Sequence, residues 1–123
     1  MKLNKQDERR SHPRLETTLP LRIKTSEFDI VTSTKNISCV GAYCQVDRYL
    51  APLTKLDIAL VLSHQNNSNN NTNTNSIKVR CRGVVVRTEP NLDKYNLAIF
   101  FNDIAEPEKE KINAFVKDGH PGF

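Results

Sequence analysis

Three arginines near the start of the chain have the side chains and the spacing to grip an anionic ligand. They lie in the segment Arg9-Arg10-Ser11-His12-Pro13-Arg14. A guanidinium group presents a planar fork of N–H donors that pairs bidentately with phosphate oxygens or with a guanine edge. Pro13 disfavours helix at His12 and removes a backbone donor, so we expect an extended or turn-like segment. The chemistry indicated is recognition of a phosphate or a nucleotide.

A second short pattern, Asn36-Ile37-Ser38-Cys39-Val40-Gly41, lies where one predicted strand ends and the next begins. Asn36 and Ser38 offer donors and acceptors suited to the Watson–Crick edge of guanine, and Gly41 lets backbone or ligand approach without a Cβ. The alternative is that these residues only form a turn and satisfy local backbone groups. Each pattern alone is a weak signal, because such spacings arise by chance.

The charge of the chain is concentrated near its start. The 123 residues carry a net charge of +4, and most of the excess lies within residues 1–14. This asymmetry argues against a protein that binds polyanions over its whole surface and favours a local anion site. We see no secretory signal and no stretch that approaches a membrane span, so we expect a cytoplasmic protein without membrane insertion.

The sequence lacks the constellations that enzymes and metal sites need. No serine lies in a nucleophile elbow, no histidine pair has ligand spacing, and no glycine-rich loop could cradle phosphate. Cys39, Cys44 and Cys81 form no C-x-x-C pair, so neither a disulfide framework nor a zinc site is expected. Cys44 and Cys81 are interpreted as core residues. We therefore predict no enzyme activity, no metal and no cofactor.

Six segments have the period-two alternation of apolar and polar residues that is typical of strands. Their connections are mostly short, which favours a closed or nearly closed antiparallel barrel. Gly83 inside the fifth segment indicates a bulge or bend. The predicted strands cover residues 19–24, 28–34, 42–47, 56–62, 77–88 and 95–101.

One helix is predicted after the strands. Pro107 suits its first position and Gly119 the position just past its end. Ile112, Phe115 and Val116 form one apolar face, which we expect to pack on the barrel. The predicted organisation has three parts: a flexible basic segment (1–14), a barrel with its helix (15–118) that contains an Asn-rich loop (64–76), and a tail (119–123).

The two patterns, in this order on a six-stranded chain with one C-terminal helix, resemble the PilZ domain family. Its hallmarks are R-x-x-x-R followed by [D/N]-x-S-x-x-G. The resemblance extends from Arg9 to about Val116, and residues 83–87 and 97–101 look like the family's last two strands. It implies a mainly β fold, a six-stranded antiparallel PilZ-type β-barrel with one C-terminal α-helix. PilZ domains typically bind the bacterial second messenger cyclic di-GMP.

Carried over residue by residue, the resemblance implies roles for both patterns. Arg10 and Arg14 match the motif arginines, and either one could take a base edge or a phosphate. Arg9 stands where an arginine in this family is associated with binding a stacked, intercalated pair of ligands. Asn36 stands where Asp is frequent, and an amide has only one oxygen acceptor, so the affinity could be weaker. The predicted cyclic di-GMP site comprises Arg9, Arg10, Arg14, Asn36, Ser38 and Gly41.

The function implied is that of a non-catalytic cyclic di-GMP receptor or adaptor. Binding would order the arginine segment and change conformation, and a protein partner in motility, pilus, biofilm or related control would read the change. The first alternative is a PilZ-type protein-interaction module that does not depend on the nucleotide. The second is a nonspecific nucleic-acid binder, which the 7% aromatic content and the absence of Trp disfavour. Arg87 could reach the ligand but is left outside the predicted site.

Overall fold

The computed structural model describes residues 12–63 and 76–119 of the chain. The predictions for Arg9, Arg10, residues 64–75 and the tail after Gly119 lie outside the described residues. Within the described ranges the chain forms six strands and one helix. They are β1 (Pro20–Lys24), β2 (Asp29–Ser38), β3 (Gly41–Val46), β4 (Lys55–Ser63), β5 (Ser76–Asn91), β6 (Lys94–Asp103) and α1 (Glu106–Gly119).

The strands form a closed antiparallel barrel in the order β1-β2-β3-β6-β5-β4. Closure follows because β1 pairs with β2 along one edge and with β4 along the other. Every strand is therefore paired on both sides, which removes the exposed edges that favour aggregation. The predicted six-stranded antiparallel barrel with a C-terminal helix is confirmed.

The alternation read from the sequence sets which side chains fill the barrel. Along β4, Leu56, Ile58, Leu60 and Leu62 are buried, while the residues between them are half-buried or exposed. The helix α1 packs against β5 and β2, and its apolar face is buried in the same core. The predicted packing of that face is confirmed. Its members are Ile112, Phe115 and Val116.

Strand β2 is longer than predicted, and this changes the place of the second pattern. The predicted strand stopped at Thr34, but β2 continues to Ser38 and only Cys39 and Val40 form the turn to β3. In the sequence, the alternation of apolar and polar residues stops at a polar run, so the predicted strand stops there too. A bulge in β2 lets its pairing with β3 continue past that run. In addition Ser76, the last residue of the predicted loop, is the first residue of β5.

Two glycines allow strands to pass close to one another. The register between β5 and β6 shifts beside Gly83, so the predicted bulge there is confirmed. At Gly41 a Cβ would lie 2.2 Å from the carbonyl oxygen of Ile99. Next to it, the Phe101 N–H donates to the Val40 carbonyl at 2.8 Å. Because Gly41 has no side chain, β3 can begin directly after the turn while its backbone lies against the backbone of β6.

We expect Gly41→Ala to lower the free energy of unfolding by roughly 2–4 kcal/mol, because the added methyl group and the Ile99 carbonyl cannot both keep their positions. Urea denaturation followed by circular dichroism measures the change. Ser26→Ala, at an exposed bend, is the control and should shift stability by less than about 0.5 kcal/mol. Equal stability of the two variants would show that β3 and β6 are farther apart than described.

Candidate ligand-binding site

A β-bulge in β2 decides which way Asn36 faces. The register against β3 pairs Thr34 with Cys44 but Asn36 with Tyr43, so Lys35 is the extra residue. Strict alternation would place Asn36 on the buried side with Thr34. The bulge turns Asn36 to the outer face, as bulges commonly re-aim side chains, and it leaves Ile37 in the core with none of its surface exposed.

The segment that precedes β1 is held along β2 by backbone and side-chain hydrogen bonds. The Leu15 N–H donates to the Ile37 carbonyl at 2.9 Å, and the Ile37 N–H donates back to the Leu15 carbonyl at 3.0 Å. Farther along, the Thr34 hydroxyl accepts from the Leu19 N–H at 3.0 Å and donates to the Thr17 carbonyl at 2.6 Å. Thr34 is only 2% exposed, so these bonds are shielded from water. The segment is thereby fixed at two points.

This anchoring brings one residue of each pattern together. Arg14, next to the Leu15–Ile37 bridge, donates a hydrogen bond from its Nη1 to Oδ1 of Asn36. The two residues are 22 positions apart in sequence, and the contact lies on the surface. A second contact joins the same segment to the β2–β3 turn, since Nδ1 of His12 lies 3.6 Å from Sγ of Cys39. A guanidinium group and an amide thus lie side by side where solvent can reach them.

Ser38 and Gly41 have local roles in the turn. Ser38 is fully buried, and its Oγ accepts a hydrogen bond from the Val40 N–H at 3.2 Å. Gly41 pairs with Ser38 across the turn and lies against the backbone of β6. These contacts fit the turn-forming interpretation for both residues, and their contact with a ligand stays a prediction.

The strand register of the barrel extends the candidate site beyond the predicted residues. Asn36 pairs with Tyr43, Tyr43 with Ala98, and Ala98 with Arg87. The four residues form one row across β2, β3, β6 and β5, roughly 14 Å wide at the usual strand spacing. Arg87 is exposed, with its Nε 3.1 Å from a carboxylate oxygen of Glu89. The sequence had suggested that Arg87 could reach the ligand, and the strand register adds Tyr43 and places both residues in one row with Asn36.

The titratable groups with shifted pKa values lie outside this row. Burial raises the pKa of the Cys44 thiol to about 12, and burial with the nearby carboxylates of Glu108 and Asp103 does the same for Cys81. Both thiols therefore stay protonated and unreactive near neutral pH. On α1, the hydrogen bond from Lys111 lowers the pKa of Glu108.

Within residues 12–63 and 76–119, no three His, Cys, Asp or Glu side chains come close enough together to hold a metal ion. No helix in the same ranges is long and apolar enough to cross a membrane.

The chain is similar to one protein family and to solved structures with the same fold. The family model described as PilZ domain matches residues 8–118. The solved structure of the Bacillus subtilis inhibitor of motility MotI/DgrA superposes with a TM-score of 0.70 at 19% identity, over 89% of this chain and 50% of that one. The PilZ domain of CeSA from a cellulose-synthesizing bacterium superposes with a TM-score of 0.58 at 13% identity, over 86% of this chain and 96% of that one.

The two superpositions show the fold alone at these identities. The chain spans half the length of the MotI/DgrA structure that it matches. A search of curated proteins gives no match.

We expect Thr34→Val to release the segment that carries Arg14. The valine keeps the volume but leaves the Leu19 N–H and the Thr17 carbonyl without their partner, at a cost of roughly 1–3 kcal/mol. Amide hydrogen exchange at Leu15 and Leu19, followed by NMR, should accelerate by about tenfold or more beyond the global destabilisation.

The matched control is Thr32→Val on the same strand, whose hydroxyl donates to the Gln45 carbonyl at 2.7 Å. It should lose about 1 kcal/mol of stability without a selective effect on Leu15. If Thr34→Val and Thr32→Val changed exchange at Leu15 and Leu19 alike, the Thr34 hydroxyl would not be the anchor of this segment.

Proposed function

The chain belongs to the PilZ domain family, and from that premise we propose that it is a cyclic di-GMP receptor that signals to a protein partner. The family is one of binding and adaptor domains rather than of catalysts. The observation that carries the proposal is the Arg14–Asn36 hydrogen bond, because it unites the two family motifs on the outer face of β2. Arg9, Arg10, Ser38 and Gly41 complete the proposed site.

The chemistry of the ligand matches this pair of side chains. Cyclic di-GMP has two guanines and two anionic phosphodiesters. The Arg14 guanidinium can pair bidentately with O6 and N7 of guanine or with phosphate oxygens. The Asn36 oxygen can accept from guanine N1–H or N2–H. Binding therefore exchanges the Arg14–Asn36 bond for bonds to the ligand.

The free site is already arranged for this exchange. The Leu15–Ile37 bridge and the Thr34 hydroxyl hold Arg14 beside Asn36, so little backbone ordering is left for the ligand to impose at these two residues. The Arg14–Asn36 bond is exposed, so water can replace it at small cost. A ligand that offers both an anionic group and a base edge satisfies the two side chains at once.

The row beyond Asn36 supports a ligand larger than one nucleotide. Tyr43 and Ala98 form a half-buried floor, and Arg87 provides a second guanidinium at the far end. We propose that a base stacks over Tyr43 and that Arg87 exchanges its contact with Glu89 for the ligand. Two guanines and two phosphates could then be held across the barrel face.

The proposed output is a change in the arginine segment that a protein reads. Closing that segment over two phosphates alters the shape and the charge of the surface next to the β2–β3 turn. The similarity to a motility inhibitor makes motility control one candidate pathway. Because both motif arginines are present, we prefer this function to the nucleotide-independent interaction module.

We expect isothermal titration calorimetry with cyclic di-GMP to give saturable binding, and Arg10→Ala, Arg14→Ala and Asn36→Ala each to weaken it by about tenfold or more, equivalent to about 1.4 kcal/mol. Arg82→Ala, an exposed arginine on β5, is the matched control and should keep the wild-type affinity. No heat at tens of micromolar ligand would contradict the function. Full affinity in Arg14→Ala would contradict the site.

We expect Arg9→Ala to lower the stoichiometry from two ligands toward one per chain, because the resemblance assigns to this residue the second, stacked molecule. The same calorimetric titration reports the number directly. Lys2→Ala removes a positive charge from the same basic segment and should leave the stoichiometry at its wild-type value. An unchanged stoichiometry in Arg9→Ala would remove this role from Arg9.

A further inference from the structure

A second concave surface lies on another side of the barrel from the Arg14–Asn36 pair. The outer faces of β1, β4 and β5 line a groove of about 1040 Å³. The groove takes its cations from β1 and from the first half of β5, whereas the row that begins at Asn36 crosses β3 and β6 and meets β5 only at Arg87, in its second half. The proposed cyclic di-GMP site does not use this groove.

The register places positive side chains in rows across the groove. Arg22 on β1 and Arg80 on β5 stand on either side of the small residue Ala59 of β4. The next row runs from Lys24 through Asp57 to Arg82. Five cationic side chains and two carboxylates line the groove among the described residues, and the cations are Arg22, Lys24, Lys78, Arg80 and Arg82.

The cations of the groove differ in whether a carboxylate already pairs with them. Two hydrogen bonds of 2.9 and 2.8 Å bind Arg22 to Asp29. Asp57 and Asp103 flank Arg82 at 3.6 and 3.9 Å.

Lys78 and Arg80 are the cations on β5 left without an acid. Within the described part of the chain, neither side chain has a carboxylate within 4.0 Å, and Lys24 on β1 has none either. The nearby Glu108 accepts from the Arg80 backbone N–H and pairs with Lys111. The groove thus presents two unneutralised positive charges on one strand.

The rest of the lining indicates a protein rather than a nucleic acid. Its floor carries Ala59 and Val61, and Val31 beside them is 76% exposed. No aromatic side chain lines the groove among the described residues, so the bases of a nucleic acid have nothing to stack on. A small apolar floor with arginines around it is typical of protein interfaces.

We propose that this groove docks an acidic, extended segment of a protein partner. Lys78 and Arg80 lie on the same face of β5, about 7 Å apart at the usual rise per residue. Carboxylates at alternate residues of an extended segment have the same spacing, so two of them meet both cations while the segment lies over the Ala59 floor. The proposal names the docking face for the partner of the proposed receptor and rests on that function for its role, but the surface is independent of Arg14.

The test uses two labelled synthetic peptides and fluorescence anisotropy with the full chain. The acidic probe is (Glu-Thr)₅, and the neutral control is (Gln-Thr)₅. The wild-type chain should bind the acidic peptide and not the neutral one. The double variant Lys78→Glu with Arg80→Glu should weaken that binding by about tenfold or more. The double variant Lys55→Glu with Lys94→Glu has the same net charge, alters exposed lysines outside the groove, and should stay within about threefold of wild type.

Each other result would overturn the proposal. Equal loss in the two double variants would mean attraction to overall charge rather than to this groove. Tighter binding of a ten-residue oligothymidylate would assign the groove to nucleic acid, and tighter binding of phosphatidylserine vesicles would assign it to a membrane surface. Circular dichroism checks that all variants are folded.

The receptor function and the docking groove can each be refuted without refuting the other. Lys78→Glu with Arg80→Glu should keep wild-type affinity for cyclic di-GMP in calorimetry, since the pair lies outside that site. If wild-type chain bound the acidic peptide but gave no heat with cyclic di-GMP, the docking groove would stand and the receptor function would fall. If the wild-type chain bound cyclic di-GMP but not the acidic peptide, the receptor function would stand and the docking groove would fall.

Discussion

The bulge at Lys35 is the constraint on which the candidate site depends. Side chains alternate between the two faces of a strand, so without an extra residue Ile37 would face solvent and Asn36 would face the core. Exposing an isoleucine costs about 1.5–3 kcal/mol. Burying an amide without partners costs about 1–3 kcal/mol more. The same bulge therefore completes the core and places Asn36 where Arg14 can reach it.

Barrel closure gives the domain two surfaces of different chemistry that share one framework. On one side, the segment before β1 and the β2–β3 turn present the Arg14–Asn36 pair above the row that ends at Arg87. On another, β1, β4 and β5 present unneutralised positive charge around an apolar floor. Strand β1 borders both, because it pairs with β2 and β4, and Arg22 ties it to Asp29 at the start of β2. A ligand that tightened the segment before β1 would act directly on a strand that lines the groove.

Much of the fold could be predicted because it follows from local pattern. The alternation in β4, the glycine at the β5 bulge and the apolar face of α1 each reflect a physical requirement that neighbouring residues reveal. The end of β2 could not be predicted, because the polar residues after Thr34 contain a bulge that lets the strand continue to Ser38. Likewise the burial of the polar Thr34 depends on hydrogen bonds to Thr17 and Leu19, which require the preceding segment to be in place.

The arrangement of the candidate site could not be predicted from the sequence. Sequence reasoning selected Arg14 and Asn36, but their contact depends on a bridge between Leu15 and Ile37 that no local signal encodes. The row that reaches Arg87 likewise depends on the registers of three strand pairs.

An NMR titration of the wild-type chain with cyclic di-GMP follows the Arg14–Asn36 pair itself as ligand is added. The observed signals are the side-chain amide of Asn36 and the Nε–H of Arg14. Both signals should shift and saturate together, with the same dissociation constant as the backbone signals of Leu15 and Ile37. Ligand binding that left these two side-chain signals unchanged, or no binding at all, would show that the Arg14–Asn36 pair is not a cyclic di-GMP site.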